Sequence, residues 1–375
     1  MLERTLLRLA VTTAIAAAMP LAAPAWADEM TDVYARIVAN PVDTELNLQY
    51  ALLAEGRGEY RKALAAYERV LINDPGNQTA KDGLQRVRRI IEPAVTATTL
   101  ETGAVLETNP LREYDEDYIE SDVFAFGRVR IRDERPLGGY RWRTLLGAYG
   151  ELHARETELN YATLDAETGP LIDLNGTMLA FRPAIGTAVS AFDRHFYYWD
   201  INASAALEGY LQGAYQWIKL RAGYRTYDPY FTTDQGFYAD LTARLARQNV
   251  FHDKDVLSFS PRLRWNDVDG APEYGDEFMP GRYTELGATA EYSKVVNDYI
   301  TAAVNLRANQ RWYADLYLGP RDDFLLSPGA SIILTNVLGP QADIRFDYSY
   351  EWNWSTHYEH EWQNQVFKVG ISVRR

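Results

Sequence analysis

The chain has 375 residues, a net charge of −14, 13% aromatic residues and no cysteine. The acidic balance excludes nucleic acid as a partner, and the missing cysteine excludes disulfides, thiolate metal sites and lipidation at a cysteine. A mean hydropathy of −0.34 and the lack of any long apolar run after residue 27 exclude a helical membrane protein. Even so, 26 Tyr and 9 Trp are more aromatic side chains than a soluble chain of this size needs.

The first element is an export signal over residues 1–27. Arg4 and Arg8 form a basic start, Leu9 to Ala23 an apolar stretch broken by Pro20, and Ala25-Trp26-Ala27 a small-x-small cleavage site before Asp28.

Residues 28–92 read as a short all-α domain. Leu48, Tyr50, Ala51, Leu53 and Ala54 carry one helical pattern, and Tyr60, Ala63, Leu64, Tyr67, Val70 and Leu71 a second. Gly56 and Gly58 divide them, and Asp74-Pro75-Gly76-Asn77 ends the pair. Tyr50, Ala51, Ala63, Tyr67 and Pro75 resemble a tetratricopeptide repeat in order and spacing. Asn40-Pro41 precedes Asp74-Pro75 at the 34-residue period of that repeat. Asn47 stands where the repeat often has Trp, and Ala51 where it has Gly. One complete repeat is expected, with the end of another before it and a helix after it over Gln78 to Ile91. So short a stack leaves apolar faces uncovered, which implies a periplasmic docking platform for cargo, or a spacer or plug. Arg86, Arg88 and Arg89 either grip a neighbouring surface or form a solvated face.

From residue 93 to 375 the period changes from helical to two, as in a transmembrane antiparallel β-barrel. About fourteen strands are expected, near 94–107, 121–133, 139–155, 158–173, 176–190, 194–209, 211–227, 235–249, 256–269, 282–296, 298–312, 324–337, 342–355 and 361–374. Twelve or sixteen would need one pair to be misjudged. An even count puts both ends of the barrel on one side of the outer membrane, the periplasmic side if the helices lie there. The connections after the first, seventh and ninth strands are long and polar, and those such as Asp133–Gly139 are tight turns.

Within each strand the alternation sorts the side chains. Arg128, Arg130 and Arg132 oppose Val123, Ala125, Val129 and Ile131, while Arg141 and Arg143 oppose Trp142, Leu146 and Ala148. Lys219, Arg221 and Arg225 oppose Ile218, Leu220 and Ala222; Arg262 and Arg264 oppose Leu257, Phe259 and Leu263; Arg307 and Arg311 oppose Ile300, Val304 and Leu306. An arginine facing lipid near the midplane costs roughly 2–4 kcal/mol, so the apolar face must look outward and these twelve cations line the lumen. On this reading the lumen holds about two basic positions for each acidic one. The surplus carboxylates lie in the long connections, among them Glu113, Asp115, Glu116, Asp117 and Glu120, and Asp267, Asp269, Glu273, Asp276 and Glu277. The lumen arginines would either order an anionic substrate or pair with Asp200, Glu208, Asp240, Glu285, Glu291, Asp347 and Glu351 to stiffen the wall.

No enzymatic constellation is found. His153, His195, His252, His357 and His360 sit in no nucleophile or metal spacing. Asp267-Val268-Asp269-Gly270 lacks the later ligands of a calcium loop. Neither a catalytic residue, a cofactor nor a metal is expected.

The layout as a whole, with Gly103-Ala104-Val105-Leu106-Glu107-Thr108-Asn109 in the first barrel strand, resembles the surface lipoprotein assembly modulator (Slam) family. That resemblance implies an outer-membrane barrel that helps move or display a surface lipoprotein or other secreted protein, with the helices as docking platform. Exporters of exopolysaccharides share the same parts, and for them the lumen as read here implies an anionic polymer. An anion-preferring porin is a third reading. Outer-membrane lipid is an expected partner in each. The last strand, with Phe367, Val369, Ile371 and Val373 on one face, suits recognition by the barrel-assembly machinery, although Arg375 replaces the terminal aromatic.

Overall fold

The computed structural model describes residues 25–174, 177–229, 235–268, 281–314 and 319–375, with side chains from Glu29 onward except that of Met178. The chain divides into two units, Met1–Ile91 and Glu92–Arg375. Residues 1–24, which hold most of the expected export signal, lie outside the described residues, and Ala25-Trp26-Ala27 opens the first helix.

The first unit holds α1 (Ala25–Ala39), α2 (Thr44–Gly56), α3 (Tyr60–Asn73) and α4 (Gln78–Ile91). Asp43 caps α2 by accepting from the Leu46 amide at 3.0 Å. The two turns are built alike: α1 and α3 end on Ala39 and Asn73, and α2 and α4 start on Thr44 and Gln78, each 34 positions apart. Helices pack closely where residues are small. Ala51, Ala54, Ala63 and Tyr67 are fully buried, and a Cβ on Gly83 would sit 2.2 Å from the Tyr67 ring. Asn47, in place of an aromatic anchor, is buried with its polar atoms satisfied: its amide donates to the Pro41 and Asp43 carbonyls, and its oxygen accepts from Arg69. Glu55 ties three helices together, accepting from Tyr67 on α3 and, through both oxygens, from Arg86 on α4. Arg88 pairs with Glu68 at 3.1 Å. Arg86 and Arg88 are therefore engaged within the helical unit itself.

The second unit is one closed barrel of fourteen antiparallel strands in meander order, β14 returning to pair with β1. The strands are β1 (Val95–Glu107), β2 (Asp122–Leu137), β3 (Tyr140–His153), β4 (Tyr161–Asp173), β5 (Met178–Phe192), β6 (His195–Leu211) and β7 (Ala214–Tyr227). They continue with β8 (Gly236–Gln248), β9 (Asp255–Val268), β10 (Tyr283–Asn297), β11 (Ile300–Tyr313), β12 (Arg321–Leu334), β13 (Ala342–Ser355) and β14 (Trp362–Arg374). Closure leaves no sheet edge, which a span through hydrocarbon demands. Boundaries differ from the sequence expectation by up to four residues, with the most consequence at β2 and β12. β2 runs on to Leu137 because Pro136 still pairs with Arg141, and the turn falls on Gly138 and Gly139, both at positive φ. β12 lies about three residues earlier than expected, since Asn336 at φ 58° starts the turn after it.

Prolines mark breaks in the ladder. Pairing skips beside Pro183 between β4 and β5, beside Pro261 between β8 and β9, and beside Pro328 between β12 and β13. Proline has no N–H to donate, so each interrupts one neighbour only.

The alternating residues sort as expected. Leu100, Leu146, Leu164, Ile185, Leu220, Leu263, Leu286 and Leu306 stand exposed on the outside. Among the described strand residues, charged groups of that outward phase occur only near strand ends, as with Asp133, Arg135, Arg247, Asp267, Lys294 and Asp322. Trp199, Trp265, Trp312 and Trp354 are outward and exposed near the end of the barrel away from the termini. An apolar band bordered by aromatic rings is the pattern of an outer-membrane barrel.

Candidate functional site: the barrel lumen

The inner face carries charge of both signs. All twelve cations expected to line it lie on that phase, and nearly every one meets a carboxylate. Asp240 is approached by Arg262 at 2.9 Å, Arg221 at 3.5 Å and Arg264 at 3.8 Å. Glu134 receives Arg132 and Arg143 at 2.6 Å and Arg141 at 3.3 Å. Arg128 meets Glu101, Lys219 meets Glu167, Arg225 meets Asp200, Arg307 meets Glu351 and Arg311 meets Glu285. Of the twelve, only Arg130 has no ionic partner among the described residues.

The twofold basic excess expected from the sequence is not what the structure shows. Glu101, Glu107, Glu134, Glu167, Asp323 and Asp343 also face inward, and acidic positions nearly match basic ones. The misplaced boundaries account for part of this. Ending β2 at residue 133 left out Glu134, and starting β12 at 324 left out both Arg321 and Asp323. Glu167 and Arg182, 2.6 Å apart, lie in β4 and β5, whose Gly169, Pro170 and Pro183 blur the alternation. The surplus of positive charge is local rather than general.

That locality has a pattern. Register places Arg221, Asp240, Arg264, Glu285, Arg311 and Asp323 directly opposite one another across β7 to β12. Six consecutive strands thus present one continuous row of alternating sign. Each neighbour neutralises the next, the favourable form of a cross-strand pair. The adjacent row is aromatic and polar, running Tyr238, Asn266, Tyr283, Tyr313 and Arg321. Arg264 donates to the Tyr283 hydroxyl at 3.2 Å and Arg311 to that of Tyr313 at 2.8 Å. The Arg321 guanidinium lies 3.9 Å from the Tyr313 ring centroid and that of Arg225 4.2 Å from the Tyr238 ring. Planes held by a carboxylate on one side and a ring on the other are fixed in place.

The opposite wall is pinned differently. Arg143 bridges Glu134 and Glu208, and buried Arg141 also donates to the carbonyls of Glu92 and Pro93. Arg141 is thereby a clasp on the segment that enters β1, a role its sequence position did not disclose.

The connection between β1 and β2 reaches the mouth. Asn109 is buried and bonded to Asn364 and to the carbonyls of Glu113 and Gln363. Arg112, at φ 61°, meets Glu107 at 3.2 Å and Glu351 at 3.6 Å, with its guanidinium 4.9 Å from the Trp362 ring. Nothing in the local sequence marked Arg112. The acidic loop residues Asp115, Glu116 and Asp117 form a short 3-10 turn or its cap, whereas Asp269, Glu273, Asp276 and Glu277 lie outside the described residues.

These features define a membrane barrel with a charged, cross-braced interior, preceded by a helical unit. No protein-family model and no curated protein matches the sequence. Among solved structures the chain is similar to the outer membrane channel DcaP of Acinetobacter baumannii, at 8% identity and TM-score 0.46 over 75% of this chain and 97% of that one. It is also similar to a bacterial polysaccharide outer membrane secretin, at 11% identity and TM-score 0.41 over 74% and 98%. The outer membrane protein OpdK of Pseudomonas aeruginosa aligns at 10% identity and TM-score 0.37 over 75% and 99%. At such identities and TM-scores the likeness says nothing of cargo.

Proposed function

We propose that the chain is an outer-membrane transport protein that collects a protein cargo in the periplasm through its helical unit and helps move or display it at the cell surface. The observation that carries this reading is the apolar surface left open on the helical unit: Tyr34, Val38, Leu52 and Ile72 on the helices and Val42 in the first turn are all exposed. Exposed apolar side chains on a short helical stack suit the capture of a partner, and the 34-residue spacing of its turns suits a tetratricopeptide platform. Phe367, Val369, Ile371 and Val373, outward on β14, fit recognition by the barrel-assembly machinery during biogenesis.

Export of a polysaccharide is the second reading, favoured by polar lumen side chains such as Asn305, Asn309 and Ser349, which are not buried and offer hydrogen bonds to a sugar chain. Near charge balance in the lumen weakens the case for a general anion porin, because a wall of paired charges has little net field to offer. Deletion in the native host separates the readings. Loss of particular protease-accessible proteins from intact cells is expected. Unchanged surface proteins with loss of extracellular polymer would instead establish the second reading, and no change in either would reject both.

A further inference from the structure

We infer that the lumen holds a binding site for a small organic polyanion at the end of the barrel away from the termini, whatever cargo the barrel serves. A cavity of about 340 Å³ lies there, within the range of small-molecule sites. Its described lining carries six guanidinium groups, those of Arg112, Arg262, Arg264, Arg307, Arg311 and Arg321, and three carboxylates, those of Glu285, Asp323 and Glu351. Asp240 lies close by, but it already serves Arg221 as well as Arg262 and Arg264. Glu351 likewise serves both Arg112 and Arg307. Among the described lining residues cations therefore outnumber carboxylates two to one, with Glu107 and Asp240 reaching in from beside the cavity.

One donor in this wall is left over among the described residues. Each guanidinium has five N–H groups, and the Arg307 Nε is buried without a hydrogen-bond partner. A buried donor lacking an acceptor is costly, and a ligand carboxylate would relieve that cost. The groups are also held ready. Glu285 and the Tyr283 and Tyr313 rings fix Arg311, and Arg321 is 2% exposed against Asp323 and Tyr313. Arg112 differs because it comes from a connection rather than the wall, so it closes the site from the mouth. Trp362, beneath Arg112, and Leu111 add apolar area. The chemistry matches a compact molecule with two or three carboxylates, or a uronate-like sugar acid, held by bidentate pairs.

The test is calorimetric titration of the full chain in detergent micelles with citrate, with galactose as the neutral control. Saturable citrate binding is expected, weakened by added salt. Arg112→Gln and Arg307→Gln should each weaken it roughly tenfold, the loss of one charge-assisted contact. Arg112 lies outside the strand ladder, so its replacement leaves the barrel folded even if Arg307→Gln does not. Arg244→Gln, at the other end of the lumen, should leave affinity within about twofold. Absence of saturable citrate binding, or equal binding of galactose, would overturn the assignment. So would a loss in Arg244→Gln as large as in Arg112→Gln, which would mean a diffuse field rather than a site.

Discussion

At the residue scale the carboxylates, not the arginines, hold the lumen together. Asp240 shows why: one buried side chain faces three guanidinium groups from β7 and β9. Asp240→Ala would leave those cations crowded and unpaired. The expected cost is about 2–3 kcal/mol, below the range for a fully dry pair because the arginines are partly hydrated. Urea unfolding in micelles measures it, and a loss under 0.5 kcal/mol, a bound set from surface pairs, would show that water already screens the row. The same variant is expected to shift reversal potential in planar bilayers toward anions. Arg221 is the informative contrast, since its removal still leaves Asp240 two partners and should cost less.

At the scale of elements the helical unit depends on close approach. Gly83 on α4 touches the Tyr67 ring of α3 so tightly that any Cβ would displace it. Gly83→Ala is expected to destabilise the unit by about 1–3 kcal/mol by overpacking, read as a lower melting temperature of the helical signal with the barrel unchanged. Alkali offers a second probe. Burial, with Glu55 beside it, raises the Tyr67 hydroxyl above the ordinary phenol range. A raised folded-state value means that the fold favours the neutral hydroxyl. The contribution is complete below the unfolded value near pH ~10 and lost as pH rises beyond it. Ellipticity at 222 nm should therefore fall between about pH 10 and 12, and Tyr67→Phe should hold its signal over that interval. An equally steep fall in that variant would remove Tyr67 as the cause.

The scale of the whole molecule is where lipid decides. Leu306 and Arg307 are neighbours on β11, one exposed outside and the other held by Glu351 within. Leu306→Arg should cost about 2–4 kcal/mol in folding into liposomes, whereas Leu306→Phe should be nearly neutral. Quenching by brominated acyl chains should likewise reach Trp199, Trp265, Trp312 and Trp354. Comparable tolerance of Leu306→Arg and Leu306→Phe would contradict an outward face in hydrocarbon.

Much of this architecture is legible in the chain because alternation is local. A residue's phase within its strand follows from its neighbours alone, so the sides taken by Arg128, Arg262 and Arg307, and by Leu146, Leu263 and Leu306, could be read without coordinates. Helical period and the Asn40-Pro41 to Asp74-Pro75 spacing located α2 to α4 by the same local reasoning. Only the tertiary structure decided which charge meets which. The row from Arg221 to Asp323 exists because the turns set the register of six strands, and a slip of one residue in any of them would break it. Arg112 is further still from local rules, for its place in the cavity depends on the closing of β14 against β1, over 250 residues apart in sequence.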